Sequence, residues 1–206
     1  MVDPSVKNLI FDLGGVILDL SVEATLNSFA KVSGMEKNES KRLFLASPGF
    51  ELYEKGEYGD EEFRDFVRNI YKISASDEVL DACWNAMLLR IPKNKLELLE
   101  TLKTRYNVYL LSNTNNIHLE YINNVLLPVS GSNFLDDFFH RAYYSHRMKK
   151  RKPDAEIFEQ VLSENNFLPH ETLFLDDNAQ NVEGASKLGI QTLYVTHPDL
   201  ILDYFS

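Results

Sequence analysis

An α/β fold, with a parallel sheet interrupted once by a helical insertion, is what this 206-residue chain predicts. Three observations carry the prediction. Short apolar, β-branched or aromatic runs recur at residues 6–11, 107–111, 142–144, 172–175 and 191–195. Helical patterns separate most of them, and strands alternating with helices imply βαβ units in which both sheet faces are covered. After Asp19 the alternation stops, and the sequence reads as helix alone until about residue 90.

The elements follow in chain order. "NLIFDLGGVILDL" opens with the first strand, which ends at Asp12 and runs into Gly14 and Gly15. The region 22–33 reads as a helix stopped by Gly34, and Asp60 is placed to cap another. In that second helix Phe63, Phe66, Val67, Ile70 and Tyr71 recur at the i, i+3, i+4, i+7, i+8 spacing of one buried face. Ser76 is placed to cap a third, with Val79, Leu80, Cys83 and Met87 on one side. Beyond the insertion, 95–106 carries Leu96, Leu99 and Leu102; 153–165 opens on a proline in the first turn; 178–188 ends at Gly189. The expected architecture is a Rossmann-like doubly wound parallel sheet with an inserted small helical cap. Residues 1–17 and 91–206 form the core domain and residues 18–90 the cap.

Composition narrows the function. Hydrophobic residues make up 44% and charged residues 25%, a globular balance. A net charge of −10 argues against nucleic-acid binding and against anchoring on an acidic membrane. Cys83 stands alone, so an internal disulfide is excluded, and no segment has the length and apolarity of a signal or a membrane span. The expectation is a cytoplasmic monomer. The five histidines (118, 140, 146, 170 and 197) show no tight ligand spacing, which disfavours zinc.

In an open parallel sheet, ligands sit at the carboxyl ends of the strands. Three apolar runs end there in polar groups: "IFD" at Asp12, "LLSNT" at Ser112-Asn113-Thr114, and "FLDD" at Asp176-Asp177. "RKPD" adds Lys152 immediately before a helix expected to start at Pro153. Any one of these is ordinarily just a turn, but four of them on one sheet are complementary. Clustered carboxylates repel and raise one another's pKa unless a cation neutralises them, and carboxylates with a backbone carbonyl suit magnesium. A hydroxyl, backbone amides and an ammonium suit phosphoryl oxygens. Asp12 would then be the nucleophile of a metal-assisted phosphoryl transfer.

These four motifs, in this order, resemble those of the haloacid dehalogenase superfamily, in its phosphatase branch, whose members carry a helical cap after the first motif. The match includes Asn181 and Gly184-Ala185 after the fourth motif. "EKGEYGDEEF", residues 54–63, is similar to the cap of the bacterial α-D-glucose-1-phosphate phosphatases; the phosphatase domain of soluble epoxide hydrolases is also similar. The resemblance implies Mg²⁺ as cofactor, held by Asp12, the carbonyl of Gly14 and Asp177, with Asp176 close by. It implies Ser112, Asn113 and Lys152 on the phosphoryl group, and Lys152 bridging to the nucleophile Asp12. The substrate it implies is a small phosphorylated metabolite. Lys149, Lys150 and Arg151 belong to a basic run and read as surface. Cap residues Phe50, Tyr53, Glu54 and Trp84 are candidates for specificity, with helix packing the competing reading.

One departure stands out. The family's second aspartate, which protonates the leaving oxygen, falls at Gly14 here. Loss of that group is worth about 10²–10⁴ in rate. It is felt least for a sugar 1-phosphate, whose hemiacetal leaving group is relatively acidic. A dehalogenase-type hydrolase and an inactive phospho-ligand binder are the alternatives. Asp19, seven residues beyond Asp12, is a weak candidate to replace the missing acid.

Overall fold

The computed structural model describes residues 2–132 and 134–206. Five strands form one parallel sheet: β1 (Asn8–Phe11), β4 (Asn107–Ser112), β5 (Arg141–Tyr144), β6 (Thr172–Asp176) and β7 (Gln191–Tyr194). Their spatial order is β5-β4-β1-β6-β7. The chain leaves β1 toward β4 and β5, then returns to the other side for β6 and β7, so the order reverses at β1. β1 is buried at every position and pairs with β4 and β6 in register, Phe11 lying beside Leu110 and Leu175. That explains its continuous apolar run: both faces are covered.

Between β1 and β4 lie β2 (Asp19–Leu20), α1 (Val22–Ser33), α2 (Lys37–Ala46), α3 (Gly49–Glu54), α4 (Asp60–Tyr71), α5 (Asp77–Asn85), β3 (Leu88–Arg90) and α6 (Lys93–Lys103). α1 begins where Ser21 Oγ accepts the Ala24 N–H and ends at Gly34 in the left-handed region, φ 71°. β4 leads into α7 (Asn116–Tyr121), which continues through a π-helical turn (Ile122–Leu126) into α8 (Leu127–Val129). After β5 come α9 (Ser145–Met148) and α10 (Ala155–Asn165); α11 (Ala179–Ser186) joins β6 to β7, and α12 (Leu200–Phe205) ends the chain.

Three expectations need correction. The insertion is not helix alone, because β2 and β3 pair antiparallel at its base. Strands this short show no period-2 pattern in sequence. α10 starts at Ala155 rather than Pro153, since Asp154 is still extended at ψ 135° and occupies the cap position. Asp60 does not cap α4: Gly59 holds that position, and Glu62 Oε2 accepts the Gly59 N–H at 2.8 Å. The Asp60 carboxylate instead accepts from Tyr53 Oη at 2.7 Å and Asn116 Nδ2 at 2.9 Å, tying α4 to α3 and α7.

One apolar cluster runs from Leu9, Phe11 and Leu110 of the sheet through Val16 and Ile17 to Phe29, Phe50, Phe63, Val67, Tyr71 and Trp84 of the inserted helices. A second, smaller cluster (Ile10, Leu111, Ile157, Phe158, Val161, Phe174) seats α10 on the other sheet face. Phe50, Phe63 and Trp84 meet at ring distances of 5.1–5.9 Å, which fixes how α3, α4 and α5 cross. The inserted helices are therefore packed on the sheet's carboxyl side through apolar contact, above the strand ends.

Candidate active site

The ends of β1, β4 and β6 bring Asp12, Ser112 and Asp176-Asp177 to one place, and the loop before α10 adds Lys152. Lys152 is the centre of the arrangement. Its side chain is fully buried, and Nζ donates to Asp12 Oδ1, Asp176 Oδ2 and the Leu111 carbonyl, each at 2.7 Å. Three acceptors match the three N–H donors of an ammonium. Burial alone would lower its pKa, yet Asp12 and Asp176 hold the ammonium above the ordinary lysine value.

Asn113 does other work than the sequence suggested. It was expected on a phosphoryl group, but its side-chain amide is engaged with the Lys152 backbone. Nδ2 donates to the Lys152 carbonyl and Oδ1 accepts the Lys152 N–H, both at 2.9 Å. The side chain of Asn113 is thus a positioning group for the lysine. Ser112 is buried at the end of β4 and lines the cavity.

The carboxylates differ among themselves. Asp176 is fully buried, and besides Lys152 it accepts from the Asn178 N–H at 2.8 Å and from Asn181 Nδ2 at 3.0 Å. Asp177 is exposed beside it. Oxygens of Asp12, Asp176 and Asp177 lie within 4.8 Å of one another. Burial, opposed by Lys152, raises the Asp12 carboxyl above the usual carboxylate range; burial and then Asp176 raise that of Asp177. One ammonium among three carboxylates leaves excess negative charge, and a hard cation with oxygen ligands fits that donor set. Gly15 makes the crowding possible: at φ +71°, a Cβ there would lie 2.0 Å from Asp177 Oδ2. Gly14 has no such backbone need, and its missing Cβ would meet Leu20 Cδ1 at 2.4 Å.

Above the carboxylates is a cavity of about 300 Å³. Its far wall carries Leu20, Trp84, His118, Ile122, Glu54 and Arg151. His118 stacks on Trp84, centroids 4.6 Å apart. Its Nε2 lies 3.2 Å from the Trp84 carbonyl and its Nδ1 3.3 Å from Asn115 Nδ2, which assigns the proton to Nε2. Burial pulls its pKa down to about 4, so the ring is neutral.

Of the specificity candidates, Glu54 and Trp84 line this cavity, whereas Phe50 and Tyr53 are core residues facing Trp84 and Phe63. The basic run predicts Arg151 at the surface, but the structure places it in the cavity wall. Nη2 meets Glu54 Oε2 at 3.0 Å and Nη1 meets Glu51 Oε1 at 3.2 Å. Its basic neighbours do stay outside, Lys149 on the Gly56 carbonyl and Lys150 on Gln160. Asp19 pairs with Arg90 at 2.8 Å and Lys95 at 3.4 Å, which makes it an anchor of β2 rather than an acid. Ser145 joins the site without any motif to announce it. Its Oγ accepts the Thr114 N–H at 2.9 Å and donates to the Glu54 carbonyl at 2.6 Å, fixing the end of α3 to the loop after β4. No local sequence signal marks such a hydroxyl.

The fold, the three strand-end motifs and the Lys152 motif define a known class of hydrolase. A family model described as haloacid dehalogenase-like hydrolase matches residues 9–195, and the chain belongs to that family. In sequence it is 28% identical over 187 residues to D-ribitol-5-phosphate phosphatase of Bacteroides thetaiotaomicron, covering 91% of this chain and 90% of the relative. In structure it matches a HAD family enzyme of the same organism, solved in complex with magnesium and inorganic phosphate. The TM-score is 0.84, with 38% identity over 92% of this chain and 93% of that one. A HAD-like hydrolase from Porphyromonas gingivalis also matches, with a TM-score of 0.84 and 29% identity over 92% and 91% of the two chains. No helix among the described residues is long and apolar enough to cross a membrane.

Proposed function

We propose that this protein is a magnesium-dependent phosphomonoester hydrolase that works through an aspartyl-phosphate on Asp12. The observation that carries the reading is Lys152 Nζ at 2.7 Å from both Asp12 and Asp176, with Asp177 beside them and lining the same cavity as Asp12 and Lys152. An Asp12 oxygen attacks phosphorus, the ester P–O bond breaks, and the leaving oxygen takes its proton from solvent. Water then attacks the same phosphorus, the Asp12–phosphoryl bond breaks, and phosphate leaves. Lys152 balances charge on Asp12 throughout, and Ser112 with the loop amide of residue 113 receives the phosphoryl oxygens, the Thr114 N–H being held by Ser145 Oγ.

Asp12, Asp177 and the carbonyl of Gly14 would hold magnesium. Asp176, whose oxygens already face Lys152 and Asn181, would orient the site from behind. When bound, the ion supplies positive charge to the phosphoryl oxygens and offsets repulsion among the carboxylates. Residues 18–90 act as a cap over a core of 1–17 and 91–206, and choose the substrate. That substrate is a small phosphorylated metabolite. Gly14 favours an acidic leaving group such as a sugar 1-phosphate, while the relative named for D-ribitol 5-phosphate supports an open-chain polyol phosphate. We take the enzyme to act as a cytoplasmic monomer without nucleic-acid partners, in keeping with its charge of −10.

A charge argument bears on the dehalogenase alternative. Asp176 is compensated by Lys152 and so is indifferent to metal; Asp177, exposed and without a cationic partner of its own among the described residues, is the residue that favours the phosphatase. The test measures phosphate release from a panel of phosphomonoesters with and without magnesium, beside halide release from 2-haloacids. Magnesium-dependent phosphate release is expected. Halide release without metal would establish the dehalogenase, and neither product would leave a phospho-ligand binder.

A further inference from the structure

Arg151 directly precedes Lys152, yet its guanidinium lines the cavity wall and meets two glutamates of α3 rather than Asp12 or Asp176. Its Nη groups are engaged, but Nε is buried without a hydrogen-bond partner among the described residues. A buried donor left unpaired costs about 1–3 kcal/mol, so native structures rarely keep one without a use. Glu54 is its complement: Oε2 accepts from Arg151, and Oε1 makes no hydrogen bond among the described residues. Among the described residues the pair therefore keeps one N–H donor and one carboxylate oxygen unpaired in the cavity wall.

Apart from the Thr114 hydroxyl and the Asn178 amide nitrogen, the rest of the wall has little to offer a polar ligand. Leu20, Val22, Phe44, Trp84 and Ile122 are apolar. His118 has both ring nitrogens engaged, and the Asn178 side chain accepts the Gln180 N–H at 2.8 Å as the cap of α11. Glu54 is also held rigidly, since Ser145 Oγ donates to its carbonyl and ties it to Thr114, two residues beyond Ser112. A plain bridge between cap and core would need neither the unpaired Nε nor a place in the cavity.

We infer that Glu54 and Arg151 are the specificity-determining pair of this site, and that they read the hydroxyl groups of a polyhydroxylated phosphoester. A hydroxyl is donor and acceptor at once, and adjacent hydroxyls match a carboxylate oxygen beside a guanidinium N–H. The carbon chain's C–H faces lie against Trp84 and Phe44 while the phosphoryl group lies at Asp12. The inference rests on the phosphatase reading above and adds a substrate class to it.

The test compares ribitol 5-phosphate with n-pentyl phosphate, which keeps the carbon count and the primary-alcohol leaving group and lacks the free hydroxyls. Wild type, Glu54→Met, Arg151→Met and the double variant are assayed with magnesium, folding being checked by circular dichroism. The double variant removes both charges together and leaves neither unpaired, so it keeps the test open where a single variant unfolds. The wild type is expected to prefer ribitol 5-phosphate in kcat/KM by about tenfold or more. In the variants that preference collapses by about tenfold, chiefly through KM for the polyol ester. A preference unchanged to within about twofold in folded variants overturns the inference. If the wild type hydrolyses neither probe, the panel of phosphomonoesters decides the phosphatase reading, and calorimetric affinities for the two probes decide the pair: equal affinities overturn it, and a polyol preference lost in the variants upholds it.

Discussion

Lys152 and Arg151 are neighbours in sequence and opposites in setting. Lys152 is sealed in the core with every donor matched at 2.7 Å, whereas Arg151 stands in the cavity wall, partly exposed, with one donor left over. The same contrast runs through the two ends of the cavity. At the sheet end, Asp12, Ser112 and Asp176 are buried at the ends of three adjacent strands, with Asp177 following Asp176, and each is held by backbone hydrogen bonds or by a charged partner. At the cap end, Glu54, Trp84 and His118 come from short helices whose apolar faces also build the core. On the proposed function, chemistry is placed by the sheet, and selection is placed by side chains that also serve packing.

The largest expected effect breaks this contrast most directly. Lys152→Met leaves Asp12 and Asp176 facing each other in a buried site, which should cost about 3–5 kcal/mol of stability and all measurable turnover. Arg151→Met, by contrast, should cost less, about 1–2 kcal/mol, because Glu51 is exposed and only the partly buried Glu54 loses a close partner. Denaturant unfolding of both variants checks the pair, and equal losses would mean that the two basic residues are not differently placed at all.

Asp177→Ala comes next. It removes one carboxylate from a repelling cluster and leaves the Lys152 contacts intact, so the melting temperature should hold or rise slightly. Magnesium affinity should fall by about tenfold or more, read by calorimetry as well as by the metal requirement of the reaction. An unchanged magnesium affinity would make Asp177 a structural residue.

The sheet end was legible in sequence for a physical reason. A carboxylate at the end of a buried strand interrupts an apolar run, so Asp12, Ser112 and Asp176-Asp177 each stand out locally, and Lys152 is marked by the proline after it. The cap end gave no such marks. Arg151 sits in a run of basic residues of which two are ordinary surface, and only the fold shows that the third turns inward. Asn113 was visible as a residue, but not the two hydrogen bonds that commit its side chain to Lys152. Ser145 and the β2–β3 pair depend on contacts between residues far apart in the chain, which periodicity cannot register.

Gly14→Asp sharpens the comparison by importing a catalytic group between the two ends. The backbone there tolerates a side chain, but Leu20 Cδ1 lies 2.4 Å from the new Cβ, so the variant is best paired with Leu20→Ala. Hydrolysis of an alkyl phosphate should gain about tenfold or more over that of an aryl phosphate, since poor leaving groups benefit most from a proton donor. Equal gains for both esters would show that some other group already supplies the proton.

The smallest effect concerns pH. His118 is neutral in the fold, with its pKa pulled by burial from 6.5 down to about 4. Its contribution to stability is therefore complete above about pH 6.5 and is lost as pH falls toward 4, by at most roughly 3 kcal/mol. His118→Gln should flatten the acid side of the melting curve across that window; an identical acid slope in the variant would assign the loss to other groups.

The central claim is a covalent phosphoryl group on Asp12, and acid quenching during turnover tests it most directly. Wild-type protein, mixed with magnesium and a phosphomonoester that it hydrolyses, is quenched within the first turnovers and mapped by peptide mass. The account predicts one added phosphoryl group on the peptide containing Asp12, and neither adduct nor turnover in Asp12→Asn. Phosphate release by folded Asp12→Asn at a rate near that of the wild type would contradict it.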